Sequence, residues 1–156
     1  MLTHARRGRG WEARLRVWHD EYRRKGLAWV VHTSPGIKRV GGSSGDMFGA
    51  VYSSKGPPDF VGVIGSGQAV VFDAKETDAA RWATSALPPH QAADLEAVRN
   101  LGAFAFIALR LGPKVAQRAW LVPWACLRDV HGSIGVEQLQ EIGTPIGPNG
   151  WLGCLS

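Results

Sequence analysis

The chain has 156 residues, of which 45% are hydrophobic, and this is enough to bury the core of one domain, 1–156. Its 18 Lys and Arg outnumber its 13 Asp and Glu, so the formal net charge is +5 at pH 7. That balance favours an anionic partner, because guanidinium groups bind phosphate bidentately; a merely solvated basic surface is the alternative. No apolar run reaches the ~20 residues of a membrane span, so no membrane partner is expected.

The sequence lacks several common motifs, and their absence narrows the expected location, ligands and cofactors of the protein. The N-terminal MLTHARRGRGW has no apolar signal-peptide region, so a cytoplasmic protein is expected. Cys126 and Cys154 stand alone, and no His or Cys spacing suits zinc, which predicts free thiols. There is no GxxxxGK[ST] loop, and therefore no nucleotide cofactor is expected.

The first predicted element is a helix from about Arg9 to Lys25. Its apolar residues recur at helical spacing and form one stripe: Trp11, Leu15, Trp18 and Tyr22. Glu12 lies at the border of this stripe, where it either forms an ion pair with Arg16 or belongs to a functional site. His19, on the same side of the helix, is predicted to be structural.

A strand and an irregular stretch follow this helix. Gly26 ends the helix, and Leu27–His32 is predicted to be the first strand. Residues 33–58 carry the loop signatures SPG and GGSSG on either side of Ile37–Val40, with a short strand at Met47–Tyr52. A long glycine-rich connection inside a compact domain is either functional or disordered, and the residues alone leave both alternatives open.

The most informative stretch is a predicted hairpin of two strands, Asp59–Ile64 and Gln68–Lys75, joined by the loop GSG. A three-residue loop that ends in glycine suits a hairpin, because its last position usually has a positive φ. This register places Asp59 opposite Asp73, whereas a two-residue turn would shift the pairing and separate them. Like charges at Cβ distances of roughly 4.5–5.5 Å destabilise a sheet, so a bound cation is the expected reason for the pair.

Lys75 adds a basic group to this acidic pair. It shares a strand face with Asp73, because strand side chains alternate with a period of two, and the three side chains are expected to converge. Both faces of the hairpin are largely apolar, which predicts burial on both sides with the charged end at a cleft.

The remainder of the chain alternates between helices and strands. Thr77–Leu87 is polar and predicted to be irregular, and residues 144–156 form a Pro/Gly-rich tail. Between them the pattern predicts a helix, a second hairpin and two further helices: His90–Leu101, Ala103–Leu111 with Gln117–Val122, a short helix from Pro123, and Ser133–Ile142. This order predicts an α/β fold with a mixed β-sheet and helices packed outside it.

The first hairpin carries a specific resemblance. Pro58 and Asp59, a strand, and then Asp73-Ala74-Lys75 resemble the PD-(D/E)xK nuclease core, a restriction-endonuclease-like fold. The longer FDAKET followed by His90 and Gln91 resembles the RecU-type Holliday junction resolvases over about residues 7–127. Two features depart from that family, because Asp73 replaces the usual glutamate and the glycine-containing insertion differs in detail.

The resemblance implies an endonuclease that resolves four-way DNA junctions by Mg²⁺-dependent phosphodiester hydrolysis, with Mn²⁺ as a substitute. A homodimer would make paired nicks, matching the two-fold symmetry of the junction. Residues 33–58 would form a stalk-like insertion that projects into the junction. The alternatives are another PD-(D/E)xK nuclease of restriction or flap type, a non-catalytic junction-binding protein with the same fold, and an unrelated basic domain with a surface acidic pair.

The implied metal site uses hard oxygen ligands. Asp59 and Asp73, together with the backbone carbonyl of Ala74, would bind Mg²⁺, which activates water and neutralises charge on the phosphate. Lys75 would orient the attacking water or stabilise the charge that develops on phosphorus.

Further residues would assist catalysis or bind DNA. Glu12 would help the metal or orient water, and Gln91 would hold a phosphate or the water, unless it is a plain polar residue of a first helical turn. The DNA phosphates would be contacted by basic residues: Arg6, Arg7, Arg9, Lys38, Arg39 and Lys55.

Overall fold

Helices and strands alternate along the residues that this computed structural model describes, which are 4–33, 37–40, 49–52, 56–113 and 118–155. The helices are α1 (His4–Arg24), α2 (Pro89–Asn100), α3 (Trp124–Leu127) and α4 (Val136–Ile142), with 3₁₀ turns at Thr84–Ala86 and Leu152–Leu155. The strands are β1 (Ala28–His32), β2 (Ile37–Val40), β3 (Gly49–Tyr52), β4 (Phe60–Ile64), β5 (Ala69–Glu76), β6 (Arg81–Ala83), β7 (Phe104–Leu111), β8 (Arg118–Pro123), β9 (Ser133–Gly135) and β10 (Thr144–Pro145).

Six of these strands form one mixed sheet in the order β1-β4-β5-β7-β8-β10. The central pair, β5 and β7, is parallel, and the other neighbours are antiparallel. Helices lie on both faces, so the predicted α/β fold with a mixed sheet is confirmed. Among the described residues, no helix is long and apolar enough to cross a membrane.

One face of the sheet packs against α1 through stacked aromatic rings. The ring of Phe72 lies 4.9 Å from that of Phe60 and 4.3 Å from that of Phe106, measured between centroids. Trp11 of α1 is 1% exposed, and its Nε1 donates to the carbonyl of Ala108 at 2.9 Å. This bond satisfies the polar atom of a buried tryptophan and fixes the first half of α1 over the middle of β7.

The C-terminal segment closes the same core. Trp151 is fully buried, and its Nε1 donates to Nε2 of His19 at 2.9 Å. Burial lowers the pKa of His19 to about 4, with a further contribution from His32, so the imidazole is neutral and can accept this bond. His19 is therefore a core residue in the structure. Gly150 precedes the tryptophan at φ 93°, and a Cβ there would overlap the Tyr22 hydroxyl.

We expect Trp151→Ala to destabilise the fold by about 3–5 kcal/mol, because it opens a cavity and leaves the buried His19 without its donor. Thermal unfolding followed by circular dichroism measures the loss. Val17→Ala is the matched control, because Val17 is 66% exposed and its truncation creates no cavity. A Trp151→Ala midpoint equal to that of the control would contradict this account of the core.

Four element predictions differ from the structure. Residues 144–156, predicted to be a Pro/Gly-rich tail, contain β10, which pairs with β8, and a 3₁₀ turn. The first helix begins at His4, earlier than the predicted Arg9, and Thr77–Leu87 is not irregular throughout, because it contains β6. The predicted helix over Ser133–Ile142 begins instead as β9, which pairs with β6 and places Trp82 opposite Ile134. Both of these side chains are buried, at 4% and 0% exposure, so tertiary packing selects the strand over the local pattern.

The prediction that the first hairpin is buried on both sides is wrong. The face that carries Phe60 and Phe72 lies under α1, but the helices on the second face pack mainly against β7 and β8, and α2 reaches only as far as β5. Trp29 and Val63, which pair across β1 and β4, are 52% and 44% exposed. Apolar alternation predicts which side chains share a face, but it cannot tell whether another element covers that face.

Candidate active site

The hairpin register brings the two predicted carboxylates together. Val63 pairs with Ala69 and Phe60 with Phe72, as the three-residue loop predicts, and Gly67 has the expected positive φ of 85°. The amide of Asp59 donates to Oδ1 of Asp73 at 3.0 Å, just beyond the last of these pairs. The amide of Ala74 donates to Oδ2 of Asp59 at 2.9 Å. Each carboxylate is thus held by the backbone of the opposite strand.

Asp73 is a buried carboxyl in an unusual electrostatic environment. It is 0% exposed, and its Oδ2 has no hydrogen-bond partner among the residues that the structure describes. Burial, and then the neighbouring Asp59 carboxylate, raise the pKa of Asp73 to about 7, although Lys75 opposes the rise. A cation next to Oδ2 would favour the ionised form and satisfy the oxygen that the protein leaves without a donor.

Lys75 and Gln91 meet at the end of β5. The Nζ of Lys75 donates to Oε1 of Gln91 at 2.8 Å. Gln91 lies in the first turn of α2, which starts at Pro89. The ammonium of Lys75 is therefore fixed by a residue from a different element, on the strand that also carries Asp73.

Glu12 approaches the same site from α1 through a residue that sequence reasoning missed. Its Oε2 lies 3.2 Å from Nε2 of His32, and a guanidinium nitrogen of Arg16 lies 2.8 Å from Nδ1 of that histidine. Arginine can only donate, so Nδ1 accepts and Nε2–H donates to Glu12. Burial raises the pKa of Glu12, and the negative charge of Asp59 raises it further, so the two carboxylates interact electrostatically. In the sequence, His32 is marked only as the polar residue that ends an otherwise apolar predicted strand.

The sequence left open a direct ion pair between Glu12 and Arg16. In the structure the imidazole of His32 lies between these two side chains and contacts both of them. For Ala74, the structure places the amide against Asp59, and its carbonyl as a metal ligand stays a prediction.

The predicted DNA contacts fall where side chains are not described. Arg6, Arg7 and Arg9 belong to the first turns of α1, and Lys38 and Arg39 to β2, which pairs with β3. Lys55, the remaining basic residue of the predicted stalk, lies outside the described residues. These DNA contacts remain predictions.

The donor set fits a small hard cation. No group of three or more His, Cys, Asp or Glu side chains with metal-ligand geometry occurs in the described part of the chain. Two carboxylates, one of them with an unpartnered oxygen, nevertheless suit Mg²⁺, which is usually held by one or two carboxylates while water and substrate phosphate complete its shell. Asp59 and Asp73 could therefore hold the metal that the PD-(D/E)xK pattern implies.

Comparison with known proteins identifies the family. The family model for RecU, described as Recombination protein U, matches residues 6–143. The chain belongs to the RecU family. The resemblance drawn from PD, FDAKET and the following His-Gln is confirmed. A search of curated proteins gives no match.

A solved structure supports the fold of this RecU-family chain independently. The chain is similar to Hjc from Archaeoglobus fulgidus, a Holliday junction resolvase from an archaeal hyperthermophile, with a TM-score of 0.53 and 20% sequence identity. The alignment covers 85% of this chain and 94% of that one. At this identity the likeness shows a shared fold.

The raised pKa of Asp73 predicts how stability depends on pH without metal. Folding raises the pKa of this carboxyl from 3.8 to about 7, so the folded chain holds an extra proton between those pH values. The free energy of unfolding therefore falls as pH rises from about 4 to about 7.

Asp73→Asn cannot ionise, and we expect it to raise the melting temperature in EDTA at pH 8 by several degrees but to change little at pH 4. Differential scanning fluorimetry across this range measures the effect. Asp129→Asn, at a carboxyl whose side chain is 86% exposed, is the control. Parallel pH curves for Asp73→Asn and the unmodified protein would contradict the assignment.

Proposed function

We propose that this RecU-family chain is an endonuclease that resolves four-way DNA junctions by Mg²⁺-dependent hydrolysis, with Mn²⁺ as a substitute. The observation that supports it best is the cross-strand pair of Asp59 and Asp73, in which a buried carboxylate oxygen lacks a donor within the described chain. The likeness of the fold to a Holliday junction resolvase agrees with this substrate.

Each residue of the site has a distinct chemical role in this proposal. Bound Mg²⁺ supplies Lewis acidity and lowers the pKa of water. Asp59 and Asp73 hold it, and the backbone bonds to their other oxygens keep both carboxylates oriented. Lys75, restrained by Gln91, directs its ammonium at the phosphate and stabilises the charge that develops on its oxygens.

Glu12 acts as a polar neighbour that orients water from the side of α1. Nε2–H of His32 donates to it, and Arg16 keeps that histidine in the required tautomer. His32 is therefore a positioning residue in this proposal, since it reaches the site through Glu12.

Substitution of the site tests the chemistry. We expect Asp59→Asn, Asp73→Asn and Lys75→Ala each to reduce cleavage of a synthetic four-way junction by ~10²-fold or more, because each removes metal binding or charge stabilisation. Binding of the junction, measured by gel shift in EDTA, should change little. Glu141→Gln, an exposed substitution on α4, is the control.

Turnover of Asp73→Asn at the control rate would exclude the metal role. Equal cleavage of linear duplex and junction by the unmodified protein would instead favour a restriction-type or flap-type nuclease. A protein that binds junctions but leaves them intact with Mg²⁺ and with Mn²⁺ would favour a non-catalytic junction-binding role.

We further propose that the chain acts as a homodimer. The interface would be the uncovered face of the sheet at β1 and the first hairpin. We call it the open face, and it consists of Trp29, Val63, Ala69 and Leu101. Trp29 pairs with Val63, and Val63 with Ala69, so three adjacent strands contribute to it. Leu101, 88% exposed, follows α2, and the next residue accepts a hydrogen bond from Gln68 beside the start of β5. Contiguous exposed apolar side chains are typical of interaction sites.

A second copy is the occupant that fits the proposed activity. A four-way junction has two-fold symmetry, and an isologous interface places the same patch of both subunits on one two-fold axis. Two active sites would then face two opposed strands. The apolar open face would be covered by its own equivalent, as in the cores of homodimer interfaces.

We expect the double variant Trp29→Lys, Val63→Lys to sediment as a monomer and to lose coordinated double nicking while single nicks persist, because like charges from two copies would meet at the open face. Analytical ultracentrifugation and a supercoiled cruciform assay measure the two effects. Val17→Lys, at an exposed apolar residue of α1, is the matched control. A double variant that remains dimeric would place the interface elsewhere.

A further inference from the structure

A second polar site lies at the same end of the sheet as the carboxylates, on the far side of α1. It is a cavity of about 370 Å³, a size within the range of small-ligand sites. We call it the Arg–Trp cavity, after six of the residues that line it: Arg14, Arg110, Arg118, Trp11, Trp18 and Trp120. No Asp or Glu is among the described residues that line it.

The arginines of the Arg–Trp cavity favour an anion. A guanidinium nitrogen of Arg110 binds Glu76 at 2.9 Å, so this side chain is anchored and only 16% exposed. Arg14 and Arg118 form no ion pair with any described residue, although both side chains line the cavity. Two guanidinium groups are therefore available to a phosphate beside a third that is fixed in place.

The tryptophans of the cavity favour a ligand that also carries an aromatic ring. Trp18 packs edge-on against Trp11, with centroids 5.9 Å apart. The guanidinium carbon of Arg14 lies 5.2 Å from the ring of Trp18, and that of Arg110 lies 5.8 Å from the ring of Trp11. Alternating aromatic and guanidinium groups are typical of surfaces that bind single-stranded nucleic acid, where bases stack and phosphates pair with arginine.

The position of the cavity relates it to the carboxylate site. Glu76, next to Lys75 on β5, pairs with Arg110 on β7, and Leu111 pairs with Arg118 on β8. Neighbouring strands are ~4.8 Å apart. Arg110 therefore lies one strand, or roughly 5 Å, from the strand that carries Lys75, and Arg118 lies two strands, or roughly 10 Å, from it. A DNA strand that crosses this end of the sheet could reach both sites.

We propose that the Arg–Trp cavity binds one unpaired nucleotide of the DNA strand, with its phosphate on the arginines and its base against Trp18, which is only half-buried. This inference rests on the proposed nuclease function and extends it, because the cavity would select DNA whose strand is locally unpaired next to the cut. The site is distinct from Asp59 and Asp73 and needs no metal.

Binding to short single-stranded oligothymidylate in EDTA tests the cavity without cleavage. We expect Arg14→Gln with Arg118→Gln, and separately Trp18→Leu, to weaken binding about tenfold or more in fluorescence anisotropy. Arg99→Gln is the matched control, since Arg99 is a surface arginine of α2 that pairs with Glu96. Thermal unfolding confirms that each variant is folded.

Photocrosslinking of the unmodified protein provides a second measurement that does not depend on variants. An oligonucleotide that carries 5-iododeoxyuridine should crosslink to the peptide that contains Trp18. Crosslinks confined to other peptides would overturn the proposal. So would equal oligonucleotide affinity in the arginine variant and the Arg99→Gln control.

A third result separates a nucleotide site from a simple anion site. If inorganic phosphate competes as well as thymidine monophosphate and Trp18→Leu binds normally, the cavity recognises only the anion and the nucleotide proposal fails. Because all of these measurements are made without metal, loss of junction cleavage and loss of nucleotide binding can be distinguished.

Discussion

The geometry of the site depends on a reciprocal contact at the end of the first hairpin. The amide of Asp59 donates to the carboxylate of Asp73, and the amide of Ala74 donates to that of Asp59. Both acids are therefore fixed by the backbone in the absence of any ligand. Their like charges and the burial of Asp73 oppose this arrangement, and a cation would relieve both penalties at once. This arrangement would suit the metal role that we propose, at a cost in stability.

The sequence predicted the hairpin well because its determinants are local. The loop GSG with a positive φ at Gly67 sets the register, and the register alone decides that Asp59 faces Asp73. The convergence of Lys75 follows from strand alternation. The helix periodicity likewise predicted α1, although not its start.

Other features could not be predicted because they depend on contacts between distant elements. His32 takes its place from Glu12 and Arg16 on α1, and no local pattern marks it. The strand β9 depends on pairing with β6, about 50 residues earlier. The exposure of Trp29 depends on where the helices of the second face end, which strand alternation does not encode. Each of these features is decided by tertiary contacts, which the local sequence pattern does not specify.

The bond between Trp151 and His19 joins residues 132 positions apart in sequence. Contacts of such separation form late, because a long loop must close before they contribute to stability. The second half of α1 and the rings of Phe72 and Phe106 therefore keep part of their apolar surface uncovered until Trp151 has left the ribosome. A nascent chain that lacks Trp151 would thus expose an aromatic surface that the finished chain buries.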